Sequence, residues 1–380
     1  MLHFALAALA LNVGVSPRCP PVVAVAAPTA GEAVAHWCVS SGRSDAAVAV
    51  SPASTLEGAM ADFWLCAYQL ATEDGPVGRQ RALTFPFWKE GAQDASLFQS
   101  VIEHIFDCAE ISEFLGQSMI VAGRHPTHPT SEDEPMAPPH PIITLRSYSQ
   151  KEWGDYSAEN FGEADPFAQM DVPDDGIFES TQATSTDADS VIARSGAWVD
   201  GVVAKMKDDV AGMQKPVDPE GGIEYTVCRR RTAEEAYEYF WRQCGALTSA
   251  NMPGQPESVF MSLPNFAPYN AGGFEAFANT LNSAITDLDL GSRAQLIFFH
   301  PQFSSTVEDK QDDEARFVEF ARSSPHPSVA LLRTPMVEQA RAGMGSEPVS
   351  GCIATCALIE VHERLCGPEG GLCVSKYLRG

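Results

Sequence analysis

The chain has 380 residues, of which 44% are hydrophobic and 20% are charged, the composition of a globular protein with at least one apolar core. That length is sufficient for two domains of ordinary size. The formal net charge of −25 argues against nucleic acid and anionic membrane surfaces as partners, because both bind clustered lysine and arginine.

The first residues predict a leader. Residues 1–15 form an apolar run without an acidic residue, too short for a membrane span, which needs about 20 apolar residues. Ala24-Val25-Ala26 supplies the small residues of a cleavage site, which favours the secretory pathway or an organelle, with a cytoplasmic protein as the alternative. Because Ser, Pro and Ala remain frequent up to about residue 53, we expect residues 1–53 to consist of a leader and a disordered segment. We also expect no membrane span in the mature chain.

Residues 54–156 predict an N-terminal α/β domain. A helix runs from about Thr55 to Leu70 with its apolar residues on one face, and Ser54 with Glu57 forms a capping box. The pattern continues with a strand, a helix and two more strands, at residues 83–87, 94–106, 118–122 and 142–145.

Residues 157–195 are rich in acidic residues, Ser and Thr and lack periodicity, so we interpret them as a linker between domains. A second α/β domain is expected over residues 196–345, followed by a tail rich in Cys and Gly over residues 346–380. Helices in the second domain are predicted at about residues 197–213, 232–247, 274–288 and 312–321. Strands are predicted at residues 223–227, 259–263, 294–299 and 329–332.

Alternating strands and helices predict a layered α/β fold with partly parallel strands, and a ferredoxin-like α+β sandwich is the alternative. The two halves also share short patterns. A His-Pro pair follows a strand at His125 and again at His300, and a Pro-His-Pro turn precedes a strand at His140 and again at His326. We interpret the halves as degenerate copies of one unit, with chance similarity as the alternative.

The ten cysteines include no CxxC pair. The last four, Cys352, Cys356, Cys366 and Cys373, have the thiols that a zinc site requires, but their spacing is not that of a common zinc knuckle. Disulfides in an oxidising compartment and unpaired thiols are the other interpretations. The sequence therefore leaves the cofactor unknown.

Short motifs near the end of the second domain point to a family. They are Phe299-His300-Pro301, Gln302-Phe303, Asp312-Asp313, Ser324-Pro325 and Leu331-Leu332-Arg333. Through them the chain, from Trp198 to Arg341, resembles the uncharacterised bacterial and algal family catalogued as domain of unknown function 1415. The resemblance implies a common fold and supplies no reaction.

Several positions depart from the pattern of that family. Its tyrosine in the Ser-Pro-Tyr-Pro turn is His326 here, its histidine before Leu-Leu-Arg is Ala330, and its final glutamate is Thr334. An early cysteine segment of the family falls near residues 210–213, where no cysteine occurs. If that cysteine is catalytic in the family, this chain lacks it.

Ionisable residues at strand ends provide the candidate catalytic groups. His300 follows a buried strand, and ligands of open α/β sheets bind at carboxyl strand ends, so it is a candidate general base. Arg333 ends the last strand and suits a carboxylate or phosphate. In the alternative interpretation, His300 only fixes the turn that follows it.

The remaining candidates are binding residues. Arg322, Ser324 and His326 are expected to bind a small anionic molecule, and Asp312 with Asp313 supplies oxygen ligands for a metal or, alternatively, stabilises a helix N-terminus. Two functions follow. One is an enzyme-like, small-molecule or anion-binding domain in which these residues converge with His300 and Arg333. The other is a non-catalytic binding or scaffold protein built from degenerate domains.

Overall fold

A computed structural model describes residues 29–73, 78–115, 118–127, 137–148, 187–205, 223–249, 256, 258–303, 323–335 and 337–338. These residues form two similar units, each a four-stranded sheet with helices. The first contains α1 (Ala30–Ser40), β1 (Ala47–Val50), α2 (Leu56–Thr72), β2 (Gln80–Thr84), α3 (Lys89–Gln93), α4 (Ala95–Asp107), β3 (Met119–Arg124) and β4 (Ile142–Ser147). The second contains α5 (Ala188–Lys205), β5 (Ile223–Val227), α6 (Ala233–Thr248), β6 (Ser258–Ser262), α7 (Ala271–Asp287), β7 (Ala294–Phe299) and β8 (Ser328–Arg333).

The strand order corresponds in the two sheets, β1-β2-β4-β3 in the first and β5-β6-β8-β7 in the second. In each sheet the first two strands are parallel and the other two neighbouring pairs are antiparallel. The predicted α/β class with partly parallel strands is therefore confirmed. Nothing in this arrangement contradicts the ferredoxin-like alternative.

Strands at the centre of the second sheet are buried on both faces. All five residues of β6 are buried, including the apolar run from Val259 to Met261 at its centre. On one face Trp198 of α5 packs on Phe260 and Phe299, with ring centroids 5.8 and 5.0 Å away. On the other face, α6 and α7 cover the sheet with apolar side chains.

The two units share one core through an antiparallel pair of helices, α2 and α6. The ring of Trp64 in α2 stacks on Tyr237 in α6, with centroids 4.5 Å apart. Near the start of α2, buried Glu57 accepts a hydrogen bond from Thr248, the last residue of α6, at 3.0 Å. A single apolar cluster contains residues of both units, so neither unit buries this surface alone.

Helix α2 begins one residue later than the capping-box prediction placed it. Its N-cap is Thr55, whose hydroxyl accepts a hydrogen bond from the Gly58 N–H at 3.2 Å, so the predicted box of Ser54 and Glu57 is wrong. Glu57 is the second residue of the helix and is 1% exposed. It therefore serves the contact between the units instead of the cap.

Residues 30–50 are ordered into a helix and a strand, which corrects the expectation that residues 1–53 are leader and disordered segment. A capping box of Thr29 and Glu32 starts α1, and its Trp37 is buried. The Ala-rich composition concealed a helix that packs Val34, Trp37 and Cys38 against the first sheet. Helix α5 likewise begins at Ala188, inside the predicted linker.

Other predictions fall on residues outside the described ranges: the leader to residue 28, most of the linker, the helix at 312–321 and the tail. Of the cysteines, Cys38, Cys66, Cys108, Cys228 and Cys244 are described, and all five are buried free thiols. In the described part of the chain, no helix is both long and apolar enough to cross a membrane.

Candidate functional site

Three strands of the second sheet bring polar residues to one edge. Ser262, the last residue of β6, pairs with Val227 at the end of β5 and with Ser328 at the start of β8. Ser328 also pairs with Phe299 at the end of β7. We call this end of the sheet, defined by these four residues, the carboxyl edge. His300 directly follows Phe299 and therefore lies here, as predicted.

Arg333 lies at the opposite end of the same strands, because it pairs with Ala294, the first residue of β7. At about 3.3 Å per residue, the length of β7 separates Arg333 from the carboxyl edge by roughly 17 Å. The expected convergence of His300 and Arg333 is therefore wrong. Both residues end strands, but β7 and β8 are antiparallel, so their carboxyl ends point in opposite directions.

His300 is fully buried, and both of its ring nitrogens are hydrogen-bonded. Nε2 donates to the carbonyl of Ala267 at 2.9 Å, and Nδ1 accepts from the N–H of Gln302 at 3.1 Å. These partners assign the neutral tautomer, and burial lowers the pKa of the imidazole. Ala267 adopts φ 48°, a costly conformation for alanine that the bond from His300 helps to hold. No lone pair remains on His300 for proton abstraction.

His125 makes the same contacts in the first unit. Its Nε2 lies 2.8 Å from the carbonyl of Gly91, and its Nδ1 accepts from the N–H of Thr127 at 3.2 Å. Phe98 packs beside His125 at 5.5 Å between centroids, as Phe274 packs beside His300 at 5.4 Å. The repeated arrangement supports the turn-fixing interpretation of His300.

A cluster of serines and one histidine occupies the carboxyl edge under α5. Its members are Ser195, Ser262, Ser324, His326 and Ser328, all buried, and we call it the serine–histidine cluster. The hydroxyls of Ser195 and Ser262 are 2.9 Å apart, and Ser324 and Ser328 both donate to the carbonyl of His326. The structure thus brings the predicted ligand-binding residues Ser324 and His326 together.

The side chain of His326 has an unused hydrogen-bonding group. The residue is 8% exposed, and its Nε2 has no hydrogen-bond partner among the described residues. Burial, and then the nearby guanidinium of Arg194 on α5, lower the pKa of this imidazole. A buried polar atom without a partner is costly, which makes it a candidate contact for a ligand.

The first unit lacks most of this polar set at its corresponding edge. Ile142 pairs with Thr84 at the place of Ser328, and Pro138 precedes the Pro-His-Pro turn at the place of Ser324. Val34 stands one turn before a buried tryptophan, as Ser195 does in the second unit. Of the counterparts of the four serines, only Thr84 keeps a hydroxyl, which donates to the carbonyl of Pro141 at 3.3 Å. The fold therefore does not require the buried serines.

Three consecutive arginines, Arg229 to Arg231, follow the carboxyl end of β5, and the sequence interpretation missed them. All three are exposed. Asn265, in the loop after β6, donates to the carbonyl of Arg229 at 2.8 Å and so ties the run to the carboxyl edge. Arg230 forms an ion pair with Glu235 at 2.7 Å. The sequence feature that could have revealed them is a run of three basic residues in a chain with only 25 basic and 50 acidic residues.

Arg322, Asp312 and Asp313 lie outside the described residues, so their predicted roles as anion and metal ligands stay predictions. Across the ranges that the structure does describe, no group of three His, Cys, Asp or Glu residues is arranged to hold a metal ion.

A second polar group, also missed in the sequence, lies between the units. Sγ of Cys108 is 3.6 Å from Nε2 of His104, and the hydroxyls of Tyr237 and Thr280 are 2.5 Å apart. Burial raises the pKa of Cys108 to about 12 and lowers the pKa of His104 to about 4. The pair therefore consists of a thiol and a neutral imidazole, without the thiolate of a catalytic cysteine.

Comparison with known proteins identifies one family. Residues 190–350 match the family described as "Protein of unknown function (DUF1415)". The match covers the second unit and confirms the resemblance carried by the sequence motifs. No curated protein and no solved structure matches the chain.

Proposed function

We propose that the second unit binds a small molecule at its carboxyl edge, and that the first unit is a degenerate copy that supports it without a comparable site. The observation that carries this proposal is the difference between the two edges. The second unit buries Ser195, Ser262, Ser324 and Ser328 where the first has mainly apolar residues. Buried polar residues that the fold does not require are expected at functional sites.

The chemistry of this edge suits hydrogen bonding to a ligand. Serine hydroxyls both donate and accept, and each retains acceptor capacity beyond the bond that it makes here. Nε2 of His326 supplies a further group without a partner among the described residues. Binding at His326 replaces the earlier expectation of a site around His300 and Arg333.

Native mass spectrometry of the gently purified full chain tests the proposal. We expect a bound small molecule in the wild type, and its loss in Ser328→Ile, which installs the residue of the first unit. The matched control is Thr84→Val, at the corresponding edge of the first unit, which should keep the ligand. A ligand retained in Ser328→Ile, or absent from the wild type, would reject the proposed site.

A scaffold function for the whole chain is the second candidate. It is favoured by the shared role of His125 and His300, which hold the segments that follow β2 and β6 and have both ring nitrogens occupied. Absence of a ligand from the wild type, with all variants merely less stable, would favour this candidate.

A further inference from the structure

We infer that the ligand of the second unit carries a multiply charged oxyanion of the phosphate class, bound by Arg229 and Arg231 beside the serine–histidine cluster. This inference rests on the proposed function, because it names the chemical class that the same edge takes. It also adds two binding residues, Arg229 and Arg231, that lie outside the sequence motifs described above.

The position of the arginines is fixed by the sheet. Val227, the last residue of β5, pairs with Ser262 of the cluster, and Arg229 follows two residues later. The N–H of Cys228 donates to the carbonyl of Ser262 at 2.9 Å, and Asn265 holds the carbonyl of Arg229. The arginine side chains therefore start from backbone that is bonded directly to the carboxyl edge.

The charges at this turn are only partly neutralised. Glu235 pairs with Arg230, and the other acidic residue in the first turn of α6, Glu234, is buried and bonded to Ser112 of the first unit. Among the described residues, no carboxylate forms an ion pair with Arg229 or Arg231. Arg229 and Arg231 are two positions apart in the chain, so their like charges repel each other, and a bound anion removes that cost.

The equivalent turn of the first unit shows that the backbone does not need arginine. There the N–H of Ser51 donates to the carbonyl of Thr84 at 2.9 Å, as Cys228 does to Ser262. The next three residues, before the N-cap Thr55, are Pro52, Ala53 and Ser54. The same loop thus forms without a cation, so the arginines are an added feature of the unit that we propose to bind a ligand.

The number and geometry of the donors favour a phosphate over a monocarboxylate. A guanidinium fork donates two parallel hydrogen bonds, and two forks with an imidazole require more acceptor oxygens than one carboxylate has. Nucleic acid is a poor candidate, because its binding requires an extended basic surface and the chain carries a net charge of −25.

Isothermal titration calorimetry of the full chain with pyrophosphate, and with acetate as a monocarboxylate probe, tests this inference. We expect pyrophosphate to bind the wild type and to bind the double variant Arg229→Ala/Arg231→Ala at least about tenfold more weakly. Arg230→Ala is the matched control. It removes one positive charge from the same loop, where the double variant removes two, and its guanidinium is already paired with Glu235, so we expect a change of no more than about threefold. Acetate, with only two acceptor oxygens, should bind more weakly than pyrophosphate.

The two proposals fail differently. Pyrophosphate binding that is unchanged in the double variant but lost in Ser328→Ile would overturn the role of the arginines and leave the site intact. A wild type that binds no oxyanion, yet keeps a neutral ligand that Ser328→Ile loses, would also overturn the role of the arginines and leave the proposed site intact. Binding that depends on the arginines and not on Ser328 would support the oxyanion site and reject the serine–histidine cluster as part of it.

Discussion

At the scale of single residues, His125 and His300 follow strands and have both ring nitrogens hydrogen-bonded to backbone groups. His300 binds the carbonyl of Ala267 in a loop, and His125 binds the carbonyl of Gly91 in α3. Each histidine also accepts a hydrogen bond from the backbone N–H two residues after itself. Buried peptide groups must be paired, and an imidazole satisfies one donor and one acceptor at once.

We predict that His300→Leu and His125→Leu each lower the free energy of unfolding by about 1–3 kcal/mol, because a buried carbonyl loses its donor. Urea denaturation measures this change. His140→Ala, at a half-buried position, is the control and should have a smaller effect. If either leucine variant unfolds at the same urea concentration as the wild type, the imidazole is not what holds the loop.

The buried His104 predicts a dependence of stability on pH. Burial lowers its pKa from 6.5 to about 4. Between these values the unfolded chain binds a proton that the folded chain does not, so stability falls as the pH decreases from about 6.5 to about 4. A shift of this size corresponds to roughly 3 kcal/mol.

Thermal unfolding of the wild type and His104→Gln across that pH range separates this contribution from the others. Burial raises the pKa of Glu234, which acts in the opposite direction because stability is then lost as the pH rises. His300 and His326, with lowered pKa values, act in the same direction as His104. Glu234, His300 and His326 all remain in His104→Gln. If stability changes with pH in the same way in the wild type and in this variant, the role assigned to His104 is contradicted.

At the scale of elements, local signals in the sequence predicted several segments closely and the relations between segments poorly. The bounds of β7 are those of the predicted strand, and α6 begins after its predicted cap Thr232, because an apolar run and a cap are both local features. The direction of β8 relative to β7 is not local. The site was therefore centred on His300 and Arg333, which lie at opposite ends of the paired strands.

The arginine run was missed for a related reason. Nothing in the order of residues shows that the turn after β5 lies beside Ser262 and His326, since these come from three separate strand ends. Ser324 and His326 were identified because the Pro-His-Pro turn is itself a local motif. A site assembled from distant segments becomes visible only once strand order and register are known.

The observed cap of α2 gives a prediction at this scale. Thr55→Ala should cost about 1 kcal/mol, because the Gly58 N–H loses its acceptor. Ser54→Ala, one residue earlier at an exposed position, should be within about 0.5 kcal/mol of the wild type. Urea denaturation of both variants decides between the observed and the expected cap, and a larger loss for Ser54→Ala would favour the capping box.

At the scale of the whole molecule, the shared core predicts that the two units unfold together. Phe63 of α2 and Phe240 of α6 are both fully buried in one apolar cluster. Each change to alanine should cost about 3–5 kcal/mol and move a single cooperative transition. Tryptophan fluorescence and far-UV circular dichroism should give coincident curves.

Phe106→Ala, at a position that is 53% exposed, is the control and should change stability little. Two separate transitions in Phe63→Ala, with only the first unit destabilised, would show that the contact between α2 and α6 does not couple the units.

The antiparallel packing of α2 against α6 also changes what substitutions can do at the centre of the protein. In a symmetric dimer of identical chains, every substitution appears twice, and a residue on the axis meets its own copy. With both halves in one polypeptide, Tyr237 stacks on Trp64 without a second tyrosine opposite, and Cys108 with His104 occurs on one side only. Covalent linkage also holds the partners at a fixed effective concentration, so dilution does not separate them. Each half can therefore change its own edge while the other preserves the assembly.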